Sequence, residues 1–145
     1  MLNADLIKTK IDYIIQDLAR LSSYKDISFQ EYSDDQMIQA TIERFLERIV
    51  NRALDINQHI ILMEIQPEIT NPIEYFETFI ALSNLKIYDK AFADEIAKSA
   101  GFRNMLAHNY DDMDPKIIFD SIQSALEHYP KYCSYILKFL EKENN

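Results

Sequence analysis

The chain has 145 residues, enough for one hydrophobic core, so we expect a single domain over residues 1–145. Apolar residues make up 48% of the sequence, whereas glycine occurs once and proline four times, which argues against disorder and against a turn-rich β fold. The formal net charge of −9 argues against broad electrostatic attraction to nucleic acid, so any RNA contact must be local.

The single cysteine and the charged amino-terminal segment indicate in which cellular compartment the protein is expected. Cys133 has no second cysteine to form an intramolecular disulfide, and one thiol without clustered histidines or cysteines does not build a zinc site of the usual kind. The chain begins MLNADLIKTKIDYII, which mixes charges among apolar side chains, and no apolar run approaches the roughly 18–20 residues that a membrane span needs. We therefore expect a soluble, cytoplasmic protein with no membrane partner, no metal and no cofactor.

Apolar residues spaced four and three apart predict a first helix over residues 3–23. The stripe expected to face the core consists of Ile7, Ile11, Ile14, Leu18 and Leu21. Residues 24–33 lose this pattern and are interpreted as a loop, which ends at a helix N-cap on Ser33 or Asp34.

A second, longer helix is predicted from residue 34 to about residue 64. The same alternation runs along it through Ile38, Ile42, Phe45, Ile49, Ala53, Ile56, Ile60 and Met63. A stripe of this length suits either the core of a helical bundle or a coiled-coil-like seam between two copies.

The sequence NPIE marks the start of a third helix. Asn71 is the predicted N-cap, Pro72 fits the first helical position, and Glu74 completes a capping box. The third helix is therefore predicted to start at Asn71.

Aspartates cap the last two predicted helices. Asp89 precedes a helix from residue 90 to about residue 109, which Gly101 interrupts mildly. Asp114, followed by proline, opens a fifth helix that Pro130 breaks or kinks. The residues expected to face inward are Phe92, Ile96, Ala100, Met105, Ile117, Ile118, Ile122, Leu126, Tyr132, Ile136, Leu137 and Leu140. With short connections, these elements predict an all-α, up-and-down bundle of about five helices.

Residues 101–115 read GFRNMLAHNYDDMDP and carry the side chains best suited to chemistry. Arg103 is followed after four residues by His108, and Tyr110 follows after one more residue. On a helix, Asn104 and His108 are four residues apart and share a face that Arg103 borders. A guanidinium binds phosphate oxygens, and an imidazole exchanges protons near neutral pH. Metal-free RNA cleavage needs both of these groups.

In such a reaction the ribose 2′-OH attacks the adjacent phosphorus with His108 as general acid or base, while Arg103 neutralises charge in the transition state. The expected product is a 2′,3′-cyclic phosphate, and DNA, which lacks the 2′-OH, is not a substrate. The alternative is that Arg103, His108 and Tyr110 are surface and capping residues, since the helix dipole favours cations at a helix C-terminus. Spacing alone does not decide between the two.

The segment FRNMLAHNYDDMDP resembles the signature of the HepT-like branch of the HEPN superfamily, and residues 42–61 are similar to its second helix. The resemblance implies a homodimeric helical bundle and a metal-independent ribonuclease toxin that acts on tRNA or mRNA, with Arg103, Asn104 and His108 in the active site. It also implies an MntA-type minimal nucleotidyltransferase antitoxin that transfers AMP to Tyr110. The alternative within the same resemblance is a non-catalytic, substrate-binding subunit of a nucleotidyltransferase.

Three further arginines are candidate RNA contacts outside this segment. Arg44, Arg48 and Arg52 recur every four residues along the second predicted helix, where like charges repel one another unless other groups compensate. The alternative is that they are simply surface ion-pair partners of Glu43, Glu47 and Asp55.

Overall fold

The structure is a computed structural model that describes residues 2–64, 74–108 and 114–143, of which residues 106–108 are described in their backbone only. Within these ranges there are seven helices and no strand. The helices are α1 (Ala4–Ser22), α2 (Phe29–Asp34), α3 (Gln36–Glu64), α4 (Tyr75–Asn84), α5 (Lys90–Ala97), α6 (Ala100–His108) and α7 (Pro115–Glu143). The all-α class is confirmed, with two helices more than the five predicted. No helix in these ranges combines the length and the apolar character needed to cross a membrane.

Helices α1 and α3 pack side by side in opposite directions. The Asn3 amide donates to His59 Nε2 at 3.1 Å near one end of the pair, and Arg48 Nε lies 3.1 Å from Asp17 Oδ2 near the other. The predicted α1 stripe is buried throughout, as are Ile42, Ile49, Ala53, Ile56 and Ile60 of the α3 stripe. The long α3 stripe therefore serves the core of its own chain rather than a seam between copies.

The predicted loop over residues 24–33 is wrong in its second half, where α2 forms. Ser28 caps this helix by accepting from the Glu31 amide at 3.1 Å, and its hydroxyl donates to Glu31 Oε1 at 3.1 Å. Tyr32 of α2 is buried, with its ring centroid 5.7 Å from that of Phe119 in α7. The short helix thus covers one side of the core.

Helix α3 begins at Gln36, one residue later than an N-cap at Asp34 would place it and two later than an N-cap at Ser33 would. Asp35, rather than Ser33 or Asp34, accepts from the amides of Met37 and Ile38 at 2.9 and 3.1 Å.

The predicted start of the third helix at Asn71 and Pro72 lies outside the described residues. The described helix there, α4, begins at Tyr75. Glu74 has an extended backbone with φ −62° and ψ 150°, so it does not occupy the first turn, where the predicted capping box needs it.

The single helix predicted from residue 90 to about residue 109 is two helices. Asp89 caps the first as predicted, accepting from the Phe92 amide at 2.8 Å. The chain leaves the helical pattern at Lys98 and Ser99, whereas Gly101 lies inside α6. The break is therefore upstream of the glycine that was expected to interrupt the helix.

Helix α7 starts as predicted, with Asp114 Oδ1 accepting from the Lys116 amide at 2.9 Å, but it runs through Pro130 without a break. Pro130 lies on an exposed side of α7, and its ring removes one backbone N–H donor from the helix. Of the residues expected to face inward, Ile117 is exposed; Phe92, Met105, Leu126 and Leu137 are half-buried; and the remainder are buried.

A polar group holds three helices together inside the core. The side chain of Asn57 in α3 accepts from the Tyr132 hydroxyl of α7 at 2.6 Å and donates to Thr78 Oγ1 of α4 at 3.1 Å. All three side chains are buried, within one hydrophobic cluster that draws on all seven helices.

Candidate active site

Helix α6 carries the predicted catalytic residues. Phe102 is buried, whereas Arg103 is half-buried and Asn104 is exposed. Phe102 therefore fixes α6 to the bundle and leaves Arg103 and Asn104 at the surface. His108 is the last residue of α6, and its position lies one helical turn beyond that of Asn104 on the same face of the helix. The side chain of His108 and all of Tyr110 lie outside the described residues.

Two partly buried hydrogen bonds of Ser99 fix the start of α6. Ser99 Oγ donates to the carbonyl of Ile96 at 2.7 Å and lies 2.6 Å from the hydroxyl of Tyr129 in α7. Because a serine hydroxyl has one proton, Tyr129 is the donor of the second bond. Burial raises the pKa of Tyr129 above its usual value, so the phenol keeps this proton. Arg103, four residues after Ser99, is thereby held in a defined position relative to α7.

A cavity of about 310 Å³ lies between α6, α3 and α7. Its lining is largely apolar and includes Phe102 and Met105 of α6, Ile49 and Val50 of α3, and Ala125 of α7. His128, a residue of α7, also lines it. The cavity shows that α3 contacts α6 through the side of the helix that carries Leu46, Ile49 and Val50. Nothing in the sequence pattern predicts this space.

The three arginines predicted as candidate RNA contacts lie on a different side of α3, along its junction with α1. Arg44 pairs with Glu47 at 3.4 Å, as the ion-pair alternative expects. Arg48 and Arg52 instead pair with Asp17 of α1, at 3.1 and 2.6 Å. The expected ion pair with Glu47 is therefore present at Arg44, whereas the partner of the other two arginines is a residue that the sequence interpretation missed.

The position of Asp17 in the sequence indicates that its carboxylate is buried. It stands between Ile14 and Leu18 on the apolar face of α1, and its side chain has no exposed surface. A carboxylate at such a position needs cationic partners, because burying an unpaired charge is very costly. The regular spacing of arginines on the neighbouring helix supplies them.

No group of three or more histidine, cysteine, aspartate or glutamate residues could hold a metal ion within the part of the chain that the structure describes. Asp114 is occupied as the cap of α7, and Asp111 and Asp112 lie outside that part. Arg103, Asn104 and His108 are residue types that can bind phosphate and exchange protons without a metal.

A family model for HepT-like ribonucleases matches residues 14–136, which include the whole segment from Gly101 to Pro115. The chain belongs to the HepT-like ribonuclease family. The resemblance inferred from residues 102–115 is thereby confirmed over most of the chain.

Two HepT proteins are similar to this chain along nearly their full length. The tRNA nuclease HepT of Aphanizomenon flos-aquae is 37% identical over 144 residues, which cover 97% of this chain and 95% of that protein. The mRNA nuclease HepT of Shewanella oneidensis is 25% identical over 133 residues, covering 91% of this chain and 96% of that protein.

Solved structures share the fold of this HepT-like chain. A tri-AMPylated HEPN toxin of Shewanella oneidensis, solved in complex with MNT antitoxin, has a TM-score of 0.77 at 24% identity, over 92% of this chain and 98% of that chain. The cytosolic protein YutE of Bacillus subtilis, of unknown function, has a TM-score of 0.76 at 21% identity, over 98% of this chain and 93% of that chain. The helical bundle is therefore a fold already seen in solved HEPN toxins.

Replacing Gly101 tests the placement of α6. A Cβ built at Gly101 meets nothing within 4 Å, and the residue is exposed inside the helix, so Gly101→Ala adds helix propensity without a clash. We expect the free energy of unfolding to rise by about 0.5–1 kcal/mol, measured by urea denaturation. Ala91 is the exposed second residue of α5, so Ala91→Gly is the matched reverse change and should lower stability by a similar amount. A destabilising Gly101→Ala would mean that α6 is placed incorrectly.

Proposed function

We propose that this HepT-like protein is a metal-independent endoribonuclease toxin. The observation that carries the proposal is the 37% identity, over 97% of the chain, with a protein named tRNA nuclease HepT. A second relative is named mRNA nuclease HepT. Both names favour a nuclease over a non-catalytic, substrate-binding subunit, and the higher identity makes tRNA the first substrate to test.

The proposed reaction uses Arg103 and His108 on the phosphodiester. The ribose 2′-oxygen bonds to the adjacent phosphorus as its proton passes to a general base, and the bond from phosphorus to the 5′-oxygen breaks as that oxygen takes up a proton. His108 serves one of these two transfers, as the general base or as the general acid, and water serves the other. Arg103 binds the non-bridging phosphate oxygens and stabilises their added charge in the transition state. The products are a 2′,3′-cyclic phosphate and a 5′-hydroxyl end.

The proposed role of Asn104 is to orient substrate or imidazole, because its exposed amide lies one helical turn before position 108. A side-chain amide offers both a donor and an acceptor, so it can hold either a phosphate oxygen or a ring N–H.

We also propose that an MntA-type nucleotidyltransferase antitoxin silences the protein by transferring AMP to Tyr110. The AMPylated state of a HEPN toxin with a similar fold, solved with its MNT antitoxin, supports this proposal. Tyr110 follows His108 by two residues, so an adenylate there would place negative charge where an RNA phosphate approaches. A cytoplasmic location fits this partnership, and the similar protein YutE is described as cytosolic.

The first prediction concerns the two catalytic residues. His108→Ala and Arg103→Ala should each lower the rate of tRNA cleavage by about 10²–10⁴-fold, because one removes the proton-transfer group and the other the phosphate ligand. Gel analysis of purified tRNA measures the rate, and circular dichroism checks the fold. Lys90→Ala, at an exposed cation on α5, is the control and should cleave at the wild-type rate. Cleavage that survives His108→Ala, or wild-type activity that EDTA abolishes, would contradict the proposed chemistry.

The second prediction concerns Tyr110. Co-expression with the antitoxin should add adenylate mass to the wild-type protein, and Tyr110→Phe, which removes only the acceptor oxygen, should prevent it. A free phenol has a pKa near 10, so the transfer needs a base and metal-bound ATP from the antitoxin, and Tyr110 should not react with ATP alone. Intact-mass spectrometry detects the product. Adenylate on Tyr110→Phe protein would assign the modification to another residue.

The third prediction is that the protein is a homodimer, as the resemblance implies. A dimer lets two copies of the Arg103 segment share one cleft and concentrates positive charge around the RNA. Multi-angle light scattering on a micromolar sample should give twice the mass of the 17.1 kDa chain. A stable monomer that still cleaves tRNA would remove the shared cleft from the mechanism.

A further inference from the structure

Arginine is unevenly distributed in this protein. The sequence contains five arginines, of which one is Arg103 and four lie on α1 and α3. These four are Arg20, Arg44, Arg48 and Arg52. In a chain with a net charge of −9, the junction of α1 with α3 therefore holds most of its permanently charged, planar cations.

Three of these arginines surround one carboxylate. Asp17 Oδ1 lies 2.9 Å from Arg20 Nη1, and Asp17 Oδ2 lies 3.1 Å from Arg48 Nε and 2.6 Å from Arg52 Nη1. One negative charge thus faces three positive charges, which leaves two positive charges in excess at this cluster. A single arginine pairs well with a carboxylate, so the stability of Asp17 does not by itself require three.

The three arginine side chains are partly exposed to solvent, whereas the carboxylate is not. The side chains of Arg20, Arg48 and Arg52 are 51%, 34% and 23% exposed, whereas that of Asp17 is fully buried. Each guanidinium has five N–H donors, and the two oxygens of Asp17 use only some of them. Asp17 therefore fixes the arginines in place and leaves further donors for another anion.

An exposed aromatic ring lies within the same cluster. The guanidinium carbon of Arg52 lies 4.6 Å from the ring centroid of Tyr13, and Tyr13 is 45% exposed. Exposed aromatic rings stack on unpaired bases, while arginines bind the phosphates that link them. A protein surface with both groups next to each other has the chemistry of single-stranded RNA binding.

We propose that Tyr13, Arg20, Arg44, Arg48 and Arg52 form a second RNA-binding surface, which holds the phosphodiester backbone of the substrate outside the catalytic helix. The proposal rests on the ribonuclease function proposed above. Arg44 lies four residues before Arg48 on α3 and its side chain is 64% exposed. It pairs with Glu47 at 3.4 Å, but one ion pair leaves further N–H donors of the guanidinium for a phosphate. We call these five residues the arginine surface.

The arginine surface and α6 are on opposite sides of α3. Leu46 lines the cavity beneath α6, and Arg48, two residues later, is turned by about 200° around the helix axis. The two sites are therefore separated by at least the width of a helix, about 10–12 Å. An RNA that occupies both sites must therefore be longer than a dinucleotide, and unpaired segments of a tRNA meet this requirement.

The test measures how tRNA binding depends on salt, in a His108→Ala background that leaves the RNA intact. The variant Arg20→Gln with Arg44→Gln changes the two most exposed members of the surface, and Asp17 keeps Arg48 and Arg52 as partners. We expect the slope of log K against log salt to become shallower by about 1.4, at about 0.7 for each lost contact with a single strand. Fluorescence anisotropy with labelled tRNA gives the slope.

The matched control is Lys90→Gln with Lys98→Gln. These cations are 62% and 73% exposed and pair with Asp94, four residues away, and Glu95, three residues away. Arg44 and Arg20 likewise pair with acids on their own helices, and the charge change is the same. The control should leave the slope unchanged. An unchanged slope in the arginine variant, or an equal fall in both variants, would overturn the arginine surface.

The same samples separate this proposal from the catalytic one. A wild-type protein that binds tRNA through the arginine surface but does not cleave it would refute the ribonuclease proposal and support the surface. Conversely, cleavage that depends on His108 together with salt slopes that do not depend on Arg20 and Arg44 would support the ribonuclease and refute the surface.

Discussion

Asn57 is a fully buried amide at the meeting point of three helices, and the placement of the candidate active site depends on it. Its hydrogen bonds to Tyr132 and Thr78 fix the positions of α7 and α4 along α3, because leaving any of these buried groups unpaired costs about 1–3 kcal/mol. Tyr129 lies one helical turn before Tyr132 and donates to Ser99. Side-chain contacts therefore connect the centre of α3, through the edge-to-face rings of Tyr132 and Tyr129 in α7, to half-buried Ser99 at the start of α6.

This arrangement anchors the first part of α6. Ser99 is hydrogen-bonded to α7, and Phe102 is buried in the core. A cavity of about 310 Å³ lies next to these two residues. Protein interiors usually pack as densely as organic crystals, so a cavity of this size is a departure from close packing. Arg103 is half-buried and Asn104 is exposed, so these two side chains take their positions from the α6 backbone more than from surrounding core residues.

The sequence predicts elements well where local signals agree. The α1 stripe and the aspartate caps of α5 and α7 were predicted correctly, because periodicity and capping are local properties. Helix α2 was missed, although Ser28 and Glu31 form the capping-box pattern, because six residues are too few to show a stripe. The break at Ser99 has no local signal at all, since its partner Tyr129 is thirty residues away.

For the candidate site too, features within one contiguous segment could be predicted from the sequence, whereas contacts between distant residues could not. The spacing of Arg103, Asn104 and His108 in one helix follows from sequence, and so does the family, because both depend on a contiguous segment. The partner of Arg48 and Arg52 did not follow, because Asp17 is more than thirty residues away and was obscured by the apolar residues on either side of it.

The acidic composition is consistent with RNA binding once the distribution of charge is considered. Salt at 0.1 M screens the interaction between exposed charges that are more than about 10 Å apart. An RNA phosphate is therefore attracted or repelled mainly by the charges within that distance, rather than by the net charge of the protein. At the junction of α1 with α3, one buried carboxylate fixes three guanidinium groups and leaves an excess of positive charge. Acidic residues elsewhere then oppose binding of nucleic acid at other surfaces. A net charge of −9 therefore restricts RNA binding to the positively charged part of the surface, but it does not prevent binding.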